Sequence, residues 1–247
     1  DTPPEVFFTS PSSDAYRNRP AIGYELSEAL SSASVIWQRK EGEEDVSSPH
    51  VVALESLELS GGPHADSLLT NDPFLKDGAI YDIQMVGIDS AGNVSDTVLV
   101  TGISYDTTPP DLIVNYPIAS TPTGNYDVAY SVSENLKSGE VIWEWSGGES
   151  DSTGRHIQPL SGDELVSGDH ERATIINSPP RLVEGAVYSV TVNVMDLAGN
   201  GSVPMLVENV IYDATAPVFA QVSPDSGDYV NSTGITYHIS ETIVSGA

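Results

Sequence analysis

The stretch YSVTVNVMDLAGN, residues 188–200, determines the fold expected of this chain. Apolar side chains occupy every second position before the aspartate: Tyr188, Val190, Val192 and Val194. Successive side chains of a strand point to opposite faces, so a period of two predicts a strand with one buried face. The closing Asp-Leu-Ala-Gly-Asn predicts a hairpin turn, because glycine adopts positive φ without strain and asparagine tolerates it.

The same pattern occurs earlier in the chain, as YDIQMVGIDSAGN at residues 81–93. Upstream of it, YELSEALSSASVIWQR at 24–39 matches YSVSENLKSGEVIWEW at 130–145, and YHISETIVSGA at 237–247 begins a third copy. Self-similarity at a fixed period is the signature of repeated structural units. The sequence therefore predicts three repeats, here called module 1 (residues 1–105), module 2 (106–212) and module 3 (213–247, an incomplete start).

Each module opens on a proline-containing phrase: DTPP at 1–4, DTTPP at 106–110 and DATAP at 213–217. Proline fixes its own φ and has no N–H, so it stiffens a connector and ends strand pairing. We expect short and fairly rigid junctions between modules, unlike flexible Gly/Ser tethers.

Each complete module is expected to be an all-β antiparallel sandwich. About seven short alternating strands in ~100 residues, separated by turn residues, favour that architecture and leave little room for helix. The VIW segments place Trp37 and Trp143 in the third strand, where we expect them in the core. Tyr81 and Tyr188 each follow a glycine at a strand start, and we expect these side chains in the core as well.

The opening DTTPP, the Ser-Glu in mid-module and the late D-x-AGN strand together resemble bacterial immunoglobulin-like repeats. Those repeats occur in tandem in large surface adhesins and other extracellular proteins. The resemblance covers both complete modules and the start of the third. It implies tandem immunoglobulin-like sandwiches, an extracellular or cell-surface location in a bacterium, and further repeats of the same chain as partners.

The composition limits the function classes. The net charge is −27, from 36 acidic and 9 basic residues. Such an excess argues against nucleic acid and anionic membrane surfaces, which need Lys and Arg, and favours divalent cations or a strongly solvated surface. Cysteine is absent, which excludes disulfides, thiolate metal sites and a cysteine nucleophile. No run of 18 apolar residues occurs, so we expect no membrane insertion in this segment.

Acidic residues fall where one end of a sandwich would bring them together. In module 2 the start of the first strand, the loop after the second and the last hairpin supply Asp106, Glu134, Asp196 and Asn200. The counterparts in module 1 are Asp1, Glu28, Asp89 and Asn93, and those in module 3 are Asp213 and Glu241. Hard oxygen ligands without Cys or His suit Ca²⁺, so we predict a structural calcium site. The alternative is that Asp196 only caps the turn and Glu134 is solvated.

The sequence contains no catalytic constellation, and we expect a protein that is not an enzyme. The five histidines, at 50, 64, 156, 170 and 238, lack the spacing of a metal site and are expected to have surface or packing roles. The leading hypothesis is a structural or adhesive module of a stalk or fibre. The alternative is a glycan- or protein-binding module using the variable inserts at roughly 40–75 and 146–180.

Two further expectations concern single segments. Trp145 follows Trp143 by two positions in a strand, so alternation predicts that both side chains point into the core. Residues 213–247 carry only the first two strands of a module, and an isolated hairpin is marginal in water. Such a segment either continues into a normal third module or pairs with neighbouring copies by strand addition.

Overall fold

The chain is described from a computed structural model, which covers residues 2–172, 175 and 177–241. Strands dominate it, and the helical segments in this part of the chain are two single 3-10 turns, Ser56–Leu59 and Gly162–Leu165. Neither has the length or the hydropathy of a membrane-crossing helix. The all-β prediction is confirmed.

Module 1 folds into two facing sheets. Its strands are β1 Val6–Ser10, β2 Tyr16–Arg17, β3 Ile22–Leu26, β4 Leu30–Gly42, β5 His50–Ala53, β6 Gly62–Ser67, β7 Ala79–Asp89 and β8 Val98–Tyr105. One sheet has the order β1-β3-β6 and the other β2-β8-β7-β4-β5. All neighbours are antiparallel except β2 and β8, which run parallel.

Module 2 repeats this topology strand for strand. Its strands are β9 Leu112–Tyr116, β10 Pro122–Thr123, β11 Ala129–Val132, β12 Leu136–Gly148, β13 Arg155–Pro159, β14 Gly168–His170, β15 Ala186–Asp196 and β16 Met205–Tyr212. The sheets are β14-β11-β9 and β10-β16-β15-β12-β13. Both pairs of sheets lie within the predicted modules, so the module names are kept.

In the described part of module 3 the strands form one hairpin, β17 Phe219–Ser223 with β18 Thr236–Ile239. Its apolar face is open: Phe219 is 57% exposed and Tyr237 54% exposed. By alignment of the repeats these positions correspond to Val6 and Tyr24 of module 1, which are 3% and 2% exposed because the second sheet covers them. The hairpin therefore corresponds to two of the three strands in the smaller sheet of a complete module.

The two complete cores are built on the same aromatic pair. Trp37 and Trp143 are fully buried, and each meets the edge of a buried tyrosine, Tyr81 at 6.2 Å and Tyr188 at 6.1 Å between ring centroids. Edge-to-face contacts of this kind add about 0.5–1.5 kcal/mol to the burial of the rings. The strand alternation places both residues of each pair on the inner face of the larger sheet.

The expectation that Trp145 lies in the core is wrong, since its side chain is 39% exposed. It pairs in register with Tyr188 near the end of β12, directly before a shift in the register between β12 and β15. Its indole Nε1 donates to the carbonyl of Glu149 at 2.9 Å, which closes the β12–β13 turn. Arg39 occupies the equivalent position of module 1 and donates to the carbonyl of Glu43 at 3.0 Å. The position serves the hairpin turn in both modules.

Candidate metal centre at the module junction

Three carboxylates meet where module 1 joins module 2. Asp106 follows β8, Glu134 lies in the turn between β11 and β12, and Asp196 ends β15. One oxygen from each lies within 4.8 Å of the other two. The sandwich topology explains the grouping, because all three segments lie at the same end of module 2.

Asp196 also holds the D-x-AGN turn together. Its Oδ1 accepts from the backbone N–H groups of Gly199 at 2.6 Å and Asn200 at 2.8 Å, and its Oδ2 accepts from Asn200 Nδ2 at 2.7 Å. Asp89 accepts the same two bonds from Asn93, both at 2.8 Å. The aspartate of this motif is thus a turn cap in both modules, and in module 2 it belongs to the carboxylate cluster as well.

Asn200 links the two modules beside that cluster. Its Oδ1 accepts from Asn18 Nδ2 of module 1 at 3.1 Å, and its Nδ2 also donates to the carbonyl of Asp106 at 2.9 Å. Its role as a metal ligand stays a prediction. Asn18 was not identified from the sequence, because no pattern connects residues 182 positions apart.

The cluster carries uncompensated negative charge. Burial raises the pKa of Asp106, and the charges of Asp196 and Asp77 add to that effect. Burial also raises the pKa of Glu134, and Asp106, Asp196, Asp111 and Asp77 add to it. Within the described residues no Lys or Arg forms an ion pair with the three cluster carboxylates. A cation with oxygen preference would relieve this repulsion.

Asp77 of module 1 reaches across the junction and binds the linker. Its Oδ1 accepts from the backbone N–H of Thr107 at 2.5 Å and from the hydroxyl of Thr107 at 2.9 Å. Its Oδ2 accepts from the hydroxyl of Thr108 at 2.7 Å. The Thr107 N–H contributes most to lowering the pKa of Asp77, so this carboxylate stays charged. The repeated phrases DGAIY and EGAVY contain the signal, since an acid precedes the glycine in both modules.

The junction between modules 2 and 3 repeats this arrangement. Glu184, the counterpart of Asp77, accepts from the backbone N–H of Ala214 at 2.9 Å. Burial raises the pKa of Glu241, and the nearby charges of Asp213 and Glu184 add to it. The charge of Asp213 thus acts on Glu241, as the charge of its counterpart Asp106 acts on Glu134.

The counterparts in module 1 differ in their exposure to solvent. Glu28 is exposed and, with Thr2 and Asp89, lines an open cleft. Asp89 is buried, and the side-chain N–H of Asn93 contributes most to lowering its pKa. Asp1 lies outside the described residues.

A second buried polar network lies at the opposite end of each module. In module 1 the carboxylate of Asp45 accepts from Tyr81 at 2.5 Å and contacts His50 Nε2 at 2.6 Å, while the Tyr81 hydroxyl accepts from the N–H of Lys76 at 2.8 Å. In module 2 Asp151 and His156 take the same places. The spacing of five residues between the Asp and the His, in both modules, could have revealed this network from the sequence.

This Asp–His–Tyr group does not have the geometry of a nucleophilic catalyst. A catalytic hydroxyl donates to its general base, which a third group orients. Here the Tyr188 hydroxyl donates to the Asp151 carboxylate at 2.8 Å, and His156 Nε2 contacts that same oxygen at 2.7 Å. The buried Asp151 therefore serves as a shared acceptor that fixes two side chains in the core.

The network predicts a loss of stability in acid. Burial opposes ionisation of Asp151, but hydrogen bonds from His156, Tyr188 and the backbone outweigh it and lower the pKa to about 2. The folded pKa lies below the unfolded value of about 3.9. The ionised Asp151 therefore contributes its full stabilisation of the folded state above about pH 4. This stabilisation is lost as the pH falls from there towards 2. Denaturant unfolding at several pH values should show a flatter acid dependence for Asp151→Asn than for the parent, and equal slopes would contradict the assignment.

No protein-family model and no curated protein matches the chain. Matches among solved structures include the fibronectin(III)-like modules of Clostridium thermocellum CbhA, with a TM-score of 0.40, 13% identity, and coverage of 84% of this chain and 94% of that one. CBD12 from CALX1.2 matches with a TM-score of 0.23, 13% identity, and coverage of 77% and 79%. At these scores the function has to be argued from the chain's own residues.

Proposed function

We propose that this chain is a structural spacer made of tandem immunoglobulin-like modules, part of a stalk or fibre on the outside of a bacterium. The observation that carries the proposal is the repeated junction. Asp77 and Glu184, at equivalent positions of consecutive modules, each bind the linker that opens the next module. Contacts that recur at both module junctions suit a chain that keeps its modules at a fixed spacing and orientation. The resemblance to adhesin repeats and the acidic composition support the extracellular location.

We further propose that Ca²⁺ stiffens the first junction. The donor set fits the ion, because Asp106, Glu134 and Asp196 offer hard carboxylate oxygens. Ca²⁺ commonly completes its 6–8 oxygen ligands with water and backbone carbonyls. Bound there, the cation would offset the mutual repulsion of the carboxylates and connect the linker to the body of module 2.

The calcium proposal predicts a higher melting temperature with the ion than with a chelator. Binding to the native state alone adds about 2.7 kcal/mol at a hundredfold excess over Kd. Glu134→Gln removes one charge but keeps the shape of the side chain, and it should abolish most of the difference measured by calorimetry. This variant isolates the cation better than Asp196→Ala, which would also break the turn.

Glu144→Gln is the matched control, because Glu144 is an exposed carboxylate in β12 of the same module and lies outside the cluster. It should melt like the parent under both conditions. Identical melting curves of the parent with calcium and with chelator would refute the metal site and leave the spacer proposal standing on its direct hydrogen bonds.

A binding role for the insert of module 1 is the second candidate. Phe74 is 97% exposed, and by alignment the position holds the charged Arg181 in module 2. Leu57 is 83% exposed where module 2 has Asp163. Exposed apolar side chains at positions that are charged in the other copy favour a contact specific to module 1. A glycan array and a Phe74→Ser variant test it, since retained binding by that variant would exclude the insert as the contact.

A further inference from the structure

We infer that the buried Asp–His–Tyr network of each module sets the position of the carboxylate that holds the next module, so that the module core controls the direction of the chain. The inference rests on the spacer proposal only in requiring the direct junction contacts, and it does not depend on calcium. Tyr81 and Tyr188 are the positioning residues.

The first step is the contact between the tyrosine and the turn that carries the junction carboxylate. We call residues 76–79 the latch turn of module 1, and residues 183–186 that of module 2. The Tyr81 hydroxyl accepts from the N–H of Lys76, the residue immediately before Asp77. That hydroxyl is itself oriented by donating to Asp45, which His50 also contacts. The orientation of the hydroxyl is thus determined within the core.

The second step is the fixation of the rest of the latch turn. Gly78 N–H donates to the carbonyl of Tyr105 at 2.8 Å, and Gly78 O accepts from the N–H of Glu43 at 3.0 Å. The N–H of Ala79 donates to the carbonyl of Lys76 at 3.2 Å. Tyr105 is the last residue before the linker, so the turn is tied to the linker as well as to the core.

The third step is that module 2 repeats the bonds of the latch turn. Val183 N–H donates to the Tyr188 hydroxyl at 2.9 Å, and that hydroxyl donates to Asp151. Gly185 N–H donates to the carbonyl of Tyr212 at 2.8 Å, the last residue before the next linker. Glu184 then binds that linker. In both modules the tyrosine hydroxyl binds the N–H of the residue that precedes the junction carboxylate. That residue is a lysine in module 1 and a valine in module 2, so the contact does not depend on its side chain.

The chain itself allows a direct test, because it lacks cysteine and can be spin-labelled at chosen sites. Cysteines at the exposed positions Val51 and Ile157 report the distance across the first junction, and those at Ile157 and Tyr229 report the second. The distances between the spin labels are measured by pulsed electron paramagnetic resonance. A chelator is present, so that any contribution of calcium is removed.

Tyr81→Phe keeps the ring in the core and removes only the hydroxyl. We expect it to broaden the 51–157 distance distribution and to leave the 157–229 distribution unchanged. Tyr188→Phe should do the reverse. Asp77→Asn should broaden the 51–157 distance distribution as Tyr81→Phe does. The double variant should give a distribution no broader than that of either single variant, because both substitutions act through the same turn.

An unchanged 51–157 distribution in Tyr81→Phe, in a chain whose near-ultraviolet circular dichroism shows a folded module 1, would overturn the inference even if the melting temperature falls. If Tyr81→Phe does not fold, Asp45→Asn decides by the same two distances. Broadening at both junctions by either variant would also overturn it, since a general loosening is not a local positioning effect. A failure of the calcium experiment leaves these outcomes unaffected.

Discussion

Replacing Asp151 with alanine is expected to lower the free energy of unfolding of module 2 by about 3 kcal/mol. Asp151 is 7% exposed and accepts hydrogen bonds from Tyr188, His156 and the backbone of Thr153. Removing the shared acceptor leaves buried donors without a partner, and this costs more than the loss of one average hydrogen bond. Urea unfolding followed by tryptophan fluorescence measures the change.

The matched control for this substitution is Glu144→Ala, which removes an exposed carboxylate from β12 of the same module. Surface changes of this kind usually alter stability by less than about 0.5 kcal/mol. Equal losses for the two variants would mean that the Asp151 network contributes no more than an ordinary surface charge.

The second large effect is expected at Gly148, where β12 ends. Its φ is +68°, and a Cβ added there would lie 2.3 Å from the carbonyl oxygen of Gly185. Gly148→Ala therefore combines the cost of a left-handed conformation, about 1–2 kcal/mol, with a backbone clash of about 1–3 kcal/mol. We expect a loss of about 3 kcal/mol or more in the free energy of unfolding.

The neighbouring glycine provides an internal control. A Cβ on Gly147 would meet no atom within 4 Å. Gly147→Ala should therefore change stability little, and the two variants differ only in which of two adjacent glycines is replaced. A small effect at Gly148 would show that the turn can move away from Gly185 at low cost.

The period-two stretches predicted the strands, because a half-buried sheet requires alternation and few other structures permit it. The same rule failed at Trp145, since alternation gives the direction of a side chain and not the extent of the core above it. The grouping of Asp106, Glu134 and Asp196 was predictable from topology, because loops at one end of a sandwich must lie together.

Other junction contacts were beyond single-sequence reasoning. The Asn18–Asn200 bond depends on the angle between two modules, and neither side chain carries a local signal for it. Asp77 and the Asp45–His50 pair did carry a signal, the recurrence of an acid or a histidine at the same place in each repeat. Recurrence at corresponding positions of a repeat is thus more informative than the chemistry of either residue alone.

The parallel pairing of the short strands β2 and β8 has a mechanical consequence. β2 lies near the beginning of module 1 and β8 at its end. Three backbone hydrogen bonds join the two segments: Asp14 N–H to Thr101 O at 2.9 Å, Ser104 N–H to Ala15 O at 3.0 Å, and Asp106 N–H to Arg17 O at 2.9 Å. Pulling the two ends of the module apart slides parallel strands along each other, so these bonds bear the load together and in shear. β10 and β16 repeat this arrangement. A chain under tension should therefore resist extension until both strands of a module separate at once.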